Sequence, residues 1–211
     1  MRQLTARQIA SRNEVLIAAA DAFTARGYAA TSIDDIADRL NATKGRVYHY
    51  FRTKGEIFVG IHKRAIELSF RAIDEAVAGE TSATGKLRKM AEAHAMLMMS
   101  EPTFMGLAAR HLEMSLASEG RTRQRDINEI LELRRKYESQ FEQVIAEGMK
   151  SGEFGAKDSD LMAKAVLGTL NWMSMWYSPR TARTEEEKRT IASSLAEFVI
   201  NGLAPRTPDG V

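Results

Sequence analysis

Residues 31–56 read TSIDDIADRLNATKGRVYHYFRTKGE and decide the fold of this chain, because they predict two short helices joined by a tight turn. Thr31 and Ser32 carry hydroxyls suited to capping the first helix. Asn41 tolerates the left-handed backbone that such a turn needs, and Thr43 then caps the second helix. The pattern predicts a helix-turn-helix.

The two helices divide their residues between an inner and an outer surface. Ile33, Ile36, Ala37 and Leu40 recur at helical spacing and form one buried stripe on the first helix. The second helix is predicted to pack on this stripe through Val47 and Phe51, which leaves its other residues for a second surface. This is the arrangement of a recognition helix. The residues predicted to contact DNA are Thr31, Ser32, Thr43, Lys44, Gly45, Arg46, Tyr48, His49, Tyr50 and Lys54.

The outward residues combine phosphate-binding and base-reading chemistry. Lys44 and Lys54 can neutralise phosphates, and Tyr48 and Tyr50 can donate hydrogen bonds to phosphate oxygens. Thr43 or Arg46 can reach base edges. The alternative is an ordinary helical hairpin with a solvated basic face. Agreement between the caps, the turn and the mixture of aromatic and basic residues favours DNA binding.

The same region resembles the DNA-binding domain of TetR-type bacterial transcriptional repressors. The resemblance extends from Ser11 to about Gly60. It implies that Thr43, Tyr48, Tyr50 and Lys54 touch the DNA backbone, whereas Arg46 and His49 face the groove. The positions that carry it are Leu16, Ala20, Phe23, Gly27, Tyr28, Thr31, Ser32, Ile36, Ala37, Lys44, Gly45, Tyr48, Phe51 and Lys54.

Composition is consistent with a cytoplasmic regulator. The 211 residues include no cysteine, which excludes disulfides and thiolate metal sites. The basic start lacks the apolar segment of a signal peptide, and no apolar run approaches the ~18 residues of a membrane helix. Residues 1–63 hold ten Lys and Arg against six Asp and Glu, a net charge of +4, whereas the rest of the chain has a net charge of −2. The basic excess therefore lies in the predicted DNA-binding region.

The remaining segments also read as helices, so we predict an all-α protein. A three-helix DNA-binding domain over 1–56 precedes a larger effector-binding and dimerisation domain over 57–205 and a disordered tail over 206–211. Ser11 to Glu14 is a capping box for the opening helix, and Thr53 to Glu56 is another for the fourth. Later helices are predicted over 53–77, 86–100, 103–118, 123–150, 161–177 and 184–202.

The predicted helix over 161–177 carries apolar residues on more than one side, whereas the last predicted helix has a single apolar seam. A helix that is apolar on more than one side requires two partners, which favours a four-helix interface between the last two helices of two copies of the chain. The alternative is that they close the core of a single chain. The TetR resemblance implies a homodimer through these helices. The predicted interface residues are Leu161, Ala165, Ile191, Leu195, Phe198 and Val199.

Methionine and aromatic residues are concentrated in the predicted second domain. Flexible thioethers and large rings suit a pocket for an apolar effector, although core filling is the simpler interpretation of any one methionine. His94 and His111 lie on helices that could line the same cavity. The predicted ligand-binding residues are Met96, Met99, Phe104, His111, Phe141, Trp172 and Trp176.

A short string from Asn171 to Pro179, N-W-x-x-x-W-Y-x-P, resembles a motif of TetR-type regulators of fatty-acid, steroid and aromatic-acid breakdown. Several of these sense acyl-CoA thioesters, so the resemblance implies an acyl-CoA effector. Relatives carry Arg near the positions of Met175 and Ser178. Arg180 and Arg183 are candidate substitutes for a contact with the CoA phosphates.

No catalytic constellation, cofactor motif or metal-binding spacing is present in the sequence. The four histidines never fall at ligand spacing with one another, and residues 79–86 depart from the phosphate-loop pattern. We therefore predict a ligand-responsive repressor that binds a palindromic double-stranded DNA operator as a homodimer, without cofactor, metal or membrane. The alternatives are an effector-independent architectural DNA-binding protein and an all-helical enzyme.

Overall fold

The computed structural model describes residues 5–110, 121–178 and 184–205, which form helices joined by short loops. No strand occurs within these ranges, in agreement with the predicted all-α class. None of the helices described is long and apolar enough to cross a membrane. The helices are α1 Ala6–Arg26, α2 Ile33–Arg39, α3 Lys44–Tyr50, α4 Lys54–Val77, α5 Ala83–Ser100, α6 Pro102–Arg110, α7 Arg121–Ser151, α8 Ser159–Asn171, α9 Met173–Trp176 and α10 Glu185–Leu203.

The chain divides into two compact units. The N-terminal unit combines the residues up to Ala65 with the segment Thr103–Leu131, and the C-terminal unit combines Ile66–Pro102 with the residues from Glu132 onward. The division falls inside the continuous helix α4, whereas the sequence placed it at the start of that helix. The predicted tail over 206–211 lies outside the described residues.

Helix α1 begins earlier than the sequence suggested. Thr5 is its N-cap, and the Thr5 side chain accepts a hydrogen bond from Gln8 N while the Gln8 side chain accepts from Thr5 N. The predicted cap at Ser11 is therefore wrong. Thr5-x-x-Gln8 and Ser11-x-x-Glu14 satisfy the same capping pattern, and the helix continues through the second.

The helix-turn-helix forms as its local sequence predicts. Ser32 caps α2 in a capping box with Asp35, and Asn41 adopts a positive φ of 50° in the turn. Thr43 occupies the N-cap position of α3, although its side chain makes no capping hydrogen bond. Val47 and Phe51 are buried, 0% and 3% exposed, as expected for the inner face.

Two helices of the C-terminal unit have different bounds from those predicted. Helix α5 starts at Ala83 with Ser82 as its cap, three residues before the predicted start. The predicted single helix over 161–177 is interrupted at Trp172, which separates α8 from the four-residue α9. Thr184 caps α10 in a capping box with Glu187, as predicted.

The start of α5 is held by an acidic residue from a distant loop. The Glu153 carboxylate accepts hydrogen bonds from the backbone N–H groups of Ala83, at 3.2 Å, and Thr84, at 2.8 Å. These bonds satisfy donors that the first turn of a helix otherwise leaves unpaired. They lower the pKa of Glu153 from 4.5 to about 2, with further hydrogen bonding from Ser151.

Candidate functional site

Helix α3 presents most of the predicted DNA-contacting residues on its outer surface. Tyr48 is 51% exposed, and Arg46 and Tyr50 are half-buried at the edge of the same surface. Because Val47 and Phe51 anchor the opposite side, the backbone fixes which side chains face outward. The exposed members of the predicted set on and beside α3 are Thr43, Lys44, Gly45, Tyr48 and His49.

A cleft of about 470 Å³ lies between α3 and the first turns of α1. Two of its residues, Arg7 and Gln8, were not among the predicted DNA-contacting residues. The sequence signal for these two residues is the basic N-terminal segment that contains them. The cleft is lined by Arg7, Gln8, Ser11, Gly45, Arg46, His49 and Tyr50.

Both cations of α3 are paired with carboxylates of the same unit. Arg46 forms an ion pair with Glu14 and also donates a hydrogen bond from Nη2 to Ser11 Oγ at 3.0 Å. Lys44 Nζ lies 2.7 Å from Asp34 Oδ1 on α2. These pairs are largely solvent-exposed, so each stabilises the fold by only about 0–1 kcal/mol. Either cation can be given up to a stronger anionic partner at small cost.

Thr31 has a different position from the one predicted. Its side chain is 1% exposed, and Oγ1 donates to the carbonyl oxygen of Gly27 at 2.8 Å. A buried hydroxyl cannot reach a DNA backbone, so its predicted contact is wrong and Thr31 fastens the loop after α1 instead. Ser32 is exposed, but its hydroxyl is engaged with Asp35 in the cap of α2.

The ammonium group of Lys54 is also hydrogen-bonded within the N-terminal unit. Its ammonium donates to the carbonyl oxygens of Tyr28 at 2.8 Å, Ala29 at 3.2 Å and Thr31 at 2.8 Å. It also lies 4.5 Å from the centroid of the Tyr28 ring. A lysine ammonium has three N–H donors, and all three are used here. The predicted phosphate contact of Lys54 therefore conflicts with this geometry, in which Lys54 ties α4 to the loop before α2.

The predicted ligand-binding residues that the structure describes are divided between the two compact units. Met99 and Phe141 are buried in the C-terminal unit, and Met96 is half-buried there. Phe104 is buried in the other compact unit. His111 lies outside the described residues, as do the possible CoA-binding residues Arg180 and Arg183.

Both tryptophans of that set lie on the surface of the protomer. Trp172 is 62% exposed and Trp176 is 48% exposed. The expectation that they form a cavity wall within one chain is therefore wrong. Helical spacing groups Trp172 with Leu161, Ala165 and Gly168, and that stripe is opposite the buried side of α8.

The interior of the C-terminal unit contains a polar chain that the sequence did not reveal. His94 is 2% exposed; its Nδ1 lies 2.8 Å from the Tyr137 hydroxyl and its Nε2 lies 3.3 Å from Asn171 Oδ1. Burial lowers the pKa of His94 to about 4, so its imidazole is neutral at pH 7. Burial also raises the pKa of Tyr137, whose hydroxyl receives a hydrogen bond from Ser69. This series of hydrogen-bonded side chains therefore links α4, α7, α5 and α8.

An unpartnered apolar surface extends over α8, α9 and α10. Leu161 is 55% exposed and Phe198 is 65% exposed. Large apolar side chains exposed together are typical of a surface that binds another protein chain. Ile191 and Leu195 are half-buried beside them. Val199 is 5% exposed and packs mainly in the core of the protomer, although it also lines the groove beside Phe198. The apolar face comprises Leu161, Ala165, Gly168, Trp172, Met175, Trp176, Ile191, Leu195 and Phe198.

Two glycines lie within or beside this apolar face. A Cβ added at Gly168 or at Gly202 would meet no atom within 4 Å, so neither position is filled by the protomer itself. A shallow groove of about 110 Å³ runs between α8 and α10, and its lining includes Ala165 and Phe198. A second helix can therefore approach closely at both positions.

Among the described residues, no group of three or more His, Asp or Glu side chains could hold a metal ion. The strongly perturbed pKa values belong to the buried pair His94 and Tyr137 and to the helix-capping Glu153. Each has a structural cause already described. The surface around α3 therefore remains the strongest functional feature of the N-terminal unit.

Comparisons with known proteins agree with this arrangement. Residues 15–61 match the family of bacterial regulatory proteins named tetR, and residues 80–203 match the tetracyclin repressor-like C-terminal domain. The transcriptional repressor KstR2 of Mycolicibacterium smegmatis is 26% identical over 203 residues, which cover 94% of this chain and 93% of that protein.

Solved structures show the same fold. The ketosteroid transcriptional regulator KstR2 of Mycobacterium tuberculosis superposes with a TM-score of 0.78 at 21% identity, covering 97% of this chain and 98% of that one. AibR, solved in complex with isovaleryl coenzyme A and operator DNA, superposes with a TM-score of 0.72 at 21% identity, covering 93% and 100% of the two chains.

The fold, the outward face of α3 and the family matches define a DNA-binding transcriptional regulator rather than an enzyme. The chain belongs to the TetR family of bacterial regulatory proteins. Its N-terminal unit contains the family's helix-turn-helix, and its C-terminal unit corresponds to the family's second domain.

Proposed function

We propose that this protein is a homodimeric repressor that binds a palindromic operator and is released from it by an apolar acyl effector. The observation that carries the proposal is the division of α3, whose buried Val47 and Phe51 direct Lys44, Arg46, Tyr48 and His49 outward. A recognition helix held in this way presents phosphate-binding and base-reading groups together.

The geometry of the N-terminal unit supports the proposed DNA contacts. We assign phosphate contacts to Thr43, Lys44, Tyr48 and Tyr50, and base contacts to Arg46 and His49. Arg46 must exchange Glu14 for the DNA. A guanine offers it two acceptors, and such a pair provides about 1–3 kcal/mol of discrimination, more than an exposed ion pair provides. The exchange is therefore favourable at the correct base.

Dimerisation is supported by the apolar face. It presents large apolar side chains to solvent in the protomer, and Gly168 and Gly202 leave room for close approach. A second copy of the same face covers it in a two-fold arrangement. Two recognition helices then enter successive major grooves about 34 Å apart, which is why the operator is a palindrome.

The effector class is supported by the relatives. KstR2 is described as a ketosteroid transcriptional regulator, and AibR was solved with isovaleryl coenzyme A. We therefore propose that the protein controls the breakdown of lipids, steroids or aromatic acids, with an acyl-CoA thioester as the signal. The effector releases DNA because it binds better to a dimer whose recognition helices have the wrong spacing.

The test is a binding titration with purified protein and DNA fragments from around its own gene. We expect one fragment to bind two protomers, with affinity that falls steeply as salt rises. An acyl-CoA should lower that affinity at micromolar concentration. Binding that no acyl compound changes would favour an architectural protein, and no preference for any fragment would contradict the proposal as a whole.

A further inference from the structure

The hydrogen bonds of His94 define its tautomer. Asn171 Oδ1 accepts the bond at His94 Nε2, so the imidazole proton resides on Nε2. His94 Nδ1 then accepts from the Tyr137 hydroxyl, and Tyr137 in turn accepts from the hydroxyl of Ser69. The four side chains form one directional chain that ends on an amide oxygen.

The two ends of this chain differ in burial and in bond length. Ser69 is 4% exposed and Tyr137 is 7% exposed, and the Tyr137 to His94 bond is 2.8 Å long. At the other end the bond to Asn171 is 3.3 Å, and Asn171 is half-buried. It is the last residue of α8, directly before the exposed Trp172. The His94 to Asn171 bond is therefore the longer of the two and the closer to the surface.

We propose that the Nε2–H of His94 is the donor that recognises a carbonyl oxygen of the effector. When no effector is bound, the Asn171 amide oxygen accepts this hydrogen bond instead. The ligand is an apolar molecule that carries an uncharged carbonyl, such as a thioester or a ketone. This inference rests on the proposed function, because it names the chemistry by which the same effector is selected.

The surroundings of His94 explain why the carbonyl is uncharged. The imidazole is neutral at pH 7 because burial lowers its pKa to about 4, so it offers a hydrogen bond without a positive charge. A carboxylate brought to this place would lose its hydration without gaining an opposite charge. Asp74 also acts on Tyr137 as a negative charge, which repels a second anion.

Displacing Asn171 also couples ligand binding at His94 to the apolar face. Asn171 closes α8, and Trp172 begins the break between α8 and α9. When the ligand takes the hydrogen bond of Asn171, this break loses one of its attachments to the core. The tryptophans that follow it lie on the face we assign to the dimer.

The test compares three probes of equal chain length: dodecanoyl-CoA, dodecanoyl-pantetheine and dodecanoate. We expect both thioesters to bind and to release operator DNA, and dodecanoate to bind at least tenfold more weakly. Dodecanoyl-pantetheine separates the carbonyl from the CoA phosphates, because it keeps the thioester and lacks the nucleotide.

Two substitutions should act in opposite directions. His94→Phe removes the donor and should weaken thioester binding by roughly tenfold, the upper range for one hydrogen bond. Asn171→Ala removes the internal competitor and should strengthen thioester binding severalfold. Asn201→Ala, an exposed asparagine of α10, is the matched control and should change neither.

Nitrogen-15 NMR of the histidine side chains adds a readout that does not depend on DNA. In the free protein His94 should show the proton on Nε2, and a thioester should shift that signal. The inference is overturned if Asn171→Ala weakens thioester binding as His94→Phe does, if dodecanoate binds as well as the thioesters, or if the His94 signal does not respond. Failure of all three probes to bind the wild-type protein would instead remove the proposed effector class itself.

Discussion

The Lys54 ammonium lies 2.8 Å from the carbonyl oxygen of Thr31, and this bond joins the start of α4 to the loop that precedes α2. Two further carbonyl oxygens complete its hydrogen bonding. We predict that Lys54→Met lowers the free energy of unfolding by about 2 kcal/mol, as expected when bonds to a charged group are lost. Urea denaturation measures it. A variant as stable as wild type but with a weaker salt dependence of DNA binding would restore Lys54 as a phosphate ligand.

Lys44 provides the matched comparison, because its ion pair with Asp34 is exposed and no other ion pair of Lys44 occurs among the described residues. Lys44→Met should leave stability within about 0.5 kcal/mol of wild type, as for most surface substitutions. It should weaken binding to every DNA sequence alike and reduce the slope of log K against log salt by about 0.9. A salt titration on operator and random DNA tests both statements. An unchanged slope would remove Lys44 from the interface.

Arg46 should affect base preference instead. Arg46→Ala should cost about 1–3 kcal/mol at the operator and much less on random DNA. Glu14→Gln should have the opposite sign, because Arg46 no longer has to leave a carboxylate; we expect up to about fivefold tighter operator binding. Competition assays with single-base operator variants locate the position that Arg46 reads. Equal losses on all sequences would show that Arg46 contacts only phosphate.

Phe198 should be essential to the dimer and dispensable to the protomer. It is 65% exposed in one chain, so Phe198→Glu should leave the helical fold intact. Each interface contains two copies of Phe198, and each contributes about 1.5–3 kcal/mol when it is buried. Losing both should raise the dimer dissociation constant by roughly a hundredfold or more. Ser193→Glu, exposed on another side of α10, is the control. A Phe198→Glu protein that still sediments as a tight dimer would contradict the assigned face.

Two groups should destabilise the fold in different ranges of acid pH. The pKa of His94 is about 4 in the fold against an ordinary 6.5, so the unfolded chain takes up this proton first and stability falls between pH 6.5 and 4. The pKa of Glu153 is about 2 against 4.5, so its contribution is present above pH 4.5 and is lost toward pH 2. His94→Phe should remove the pH dependence of the free energy of unfolding between pH 6.5 and 4, and Glu153→Gln should remove it between pH 4.5 and 2. Chemical denaturation at a series of pH values separates them.

The helix-turn-helix could be predicted because its determinants are local. The cap at Ser32, the left-handed Asn41 and the buried Val47 act within a few residues of one another, and the structure has each as expected. The same local rules misplaced the start of α1, where two segments satisfy one capping pattern.

The errors in the site have a common cause: they depend on partners distant in sequence. The three carbonyl oxygens that bind Lys54 lie 23 to 26 residues away, and the partners of His94 lie 43 and 77 residues away. The exposure of Trp172 likewise follows from how α8 and α10 pack. Periodicity identifies a helical stripe but does not say which stripe faces the core.

The most direct test of the account is to select the preferred DNA sequence from a random duplex pool and to measure how many protomers bind it. We predict a palindrome whose half-sites lie about one helical turn apart and which is bound by two protomers of the wild-type protein. Arg46→Ala should select a palindrome with relaxed preference at one position in each half-site. An unenriched pool, or a single asymmetric site bound by one protomer, would contradict the account.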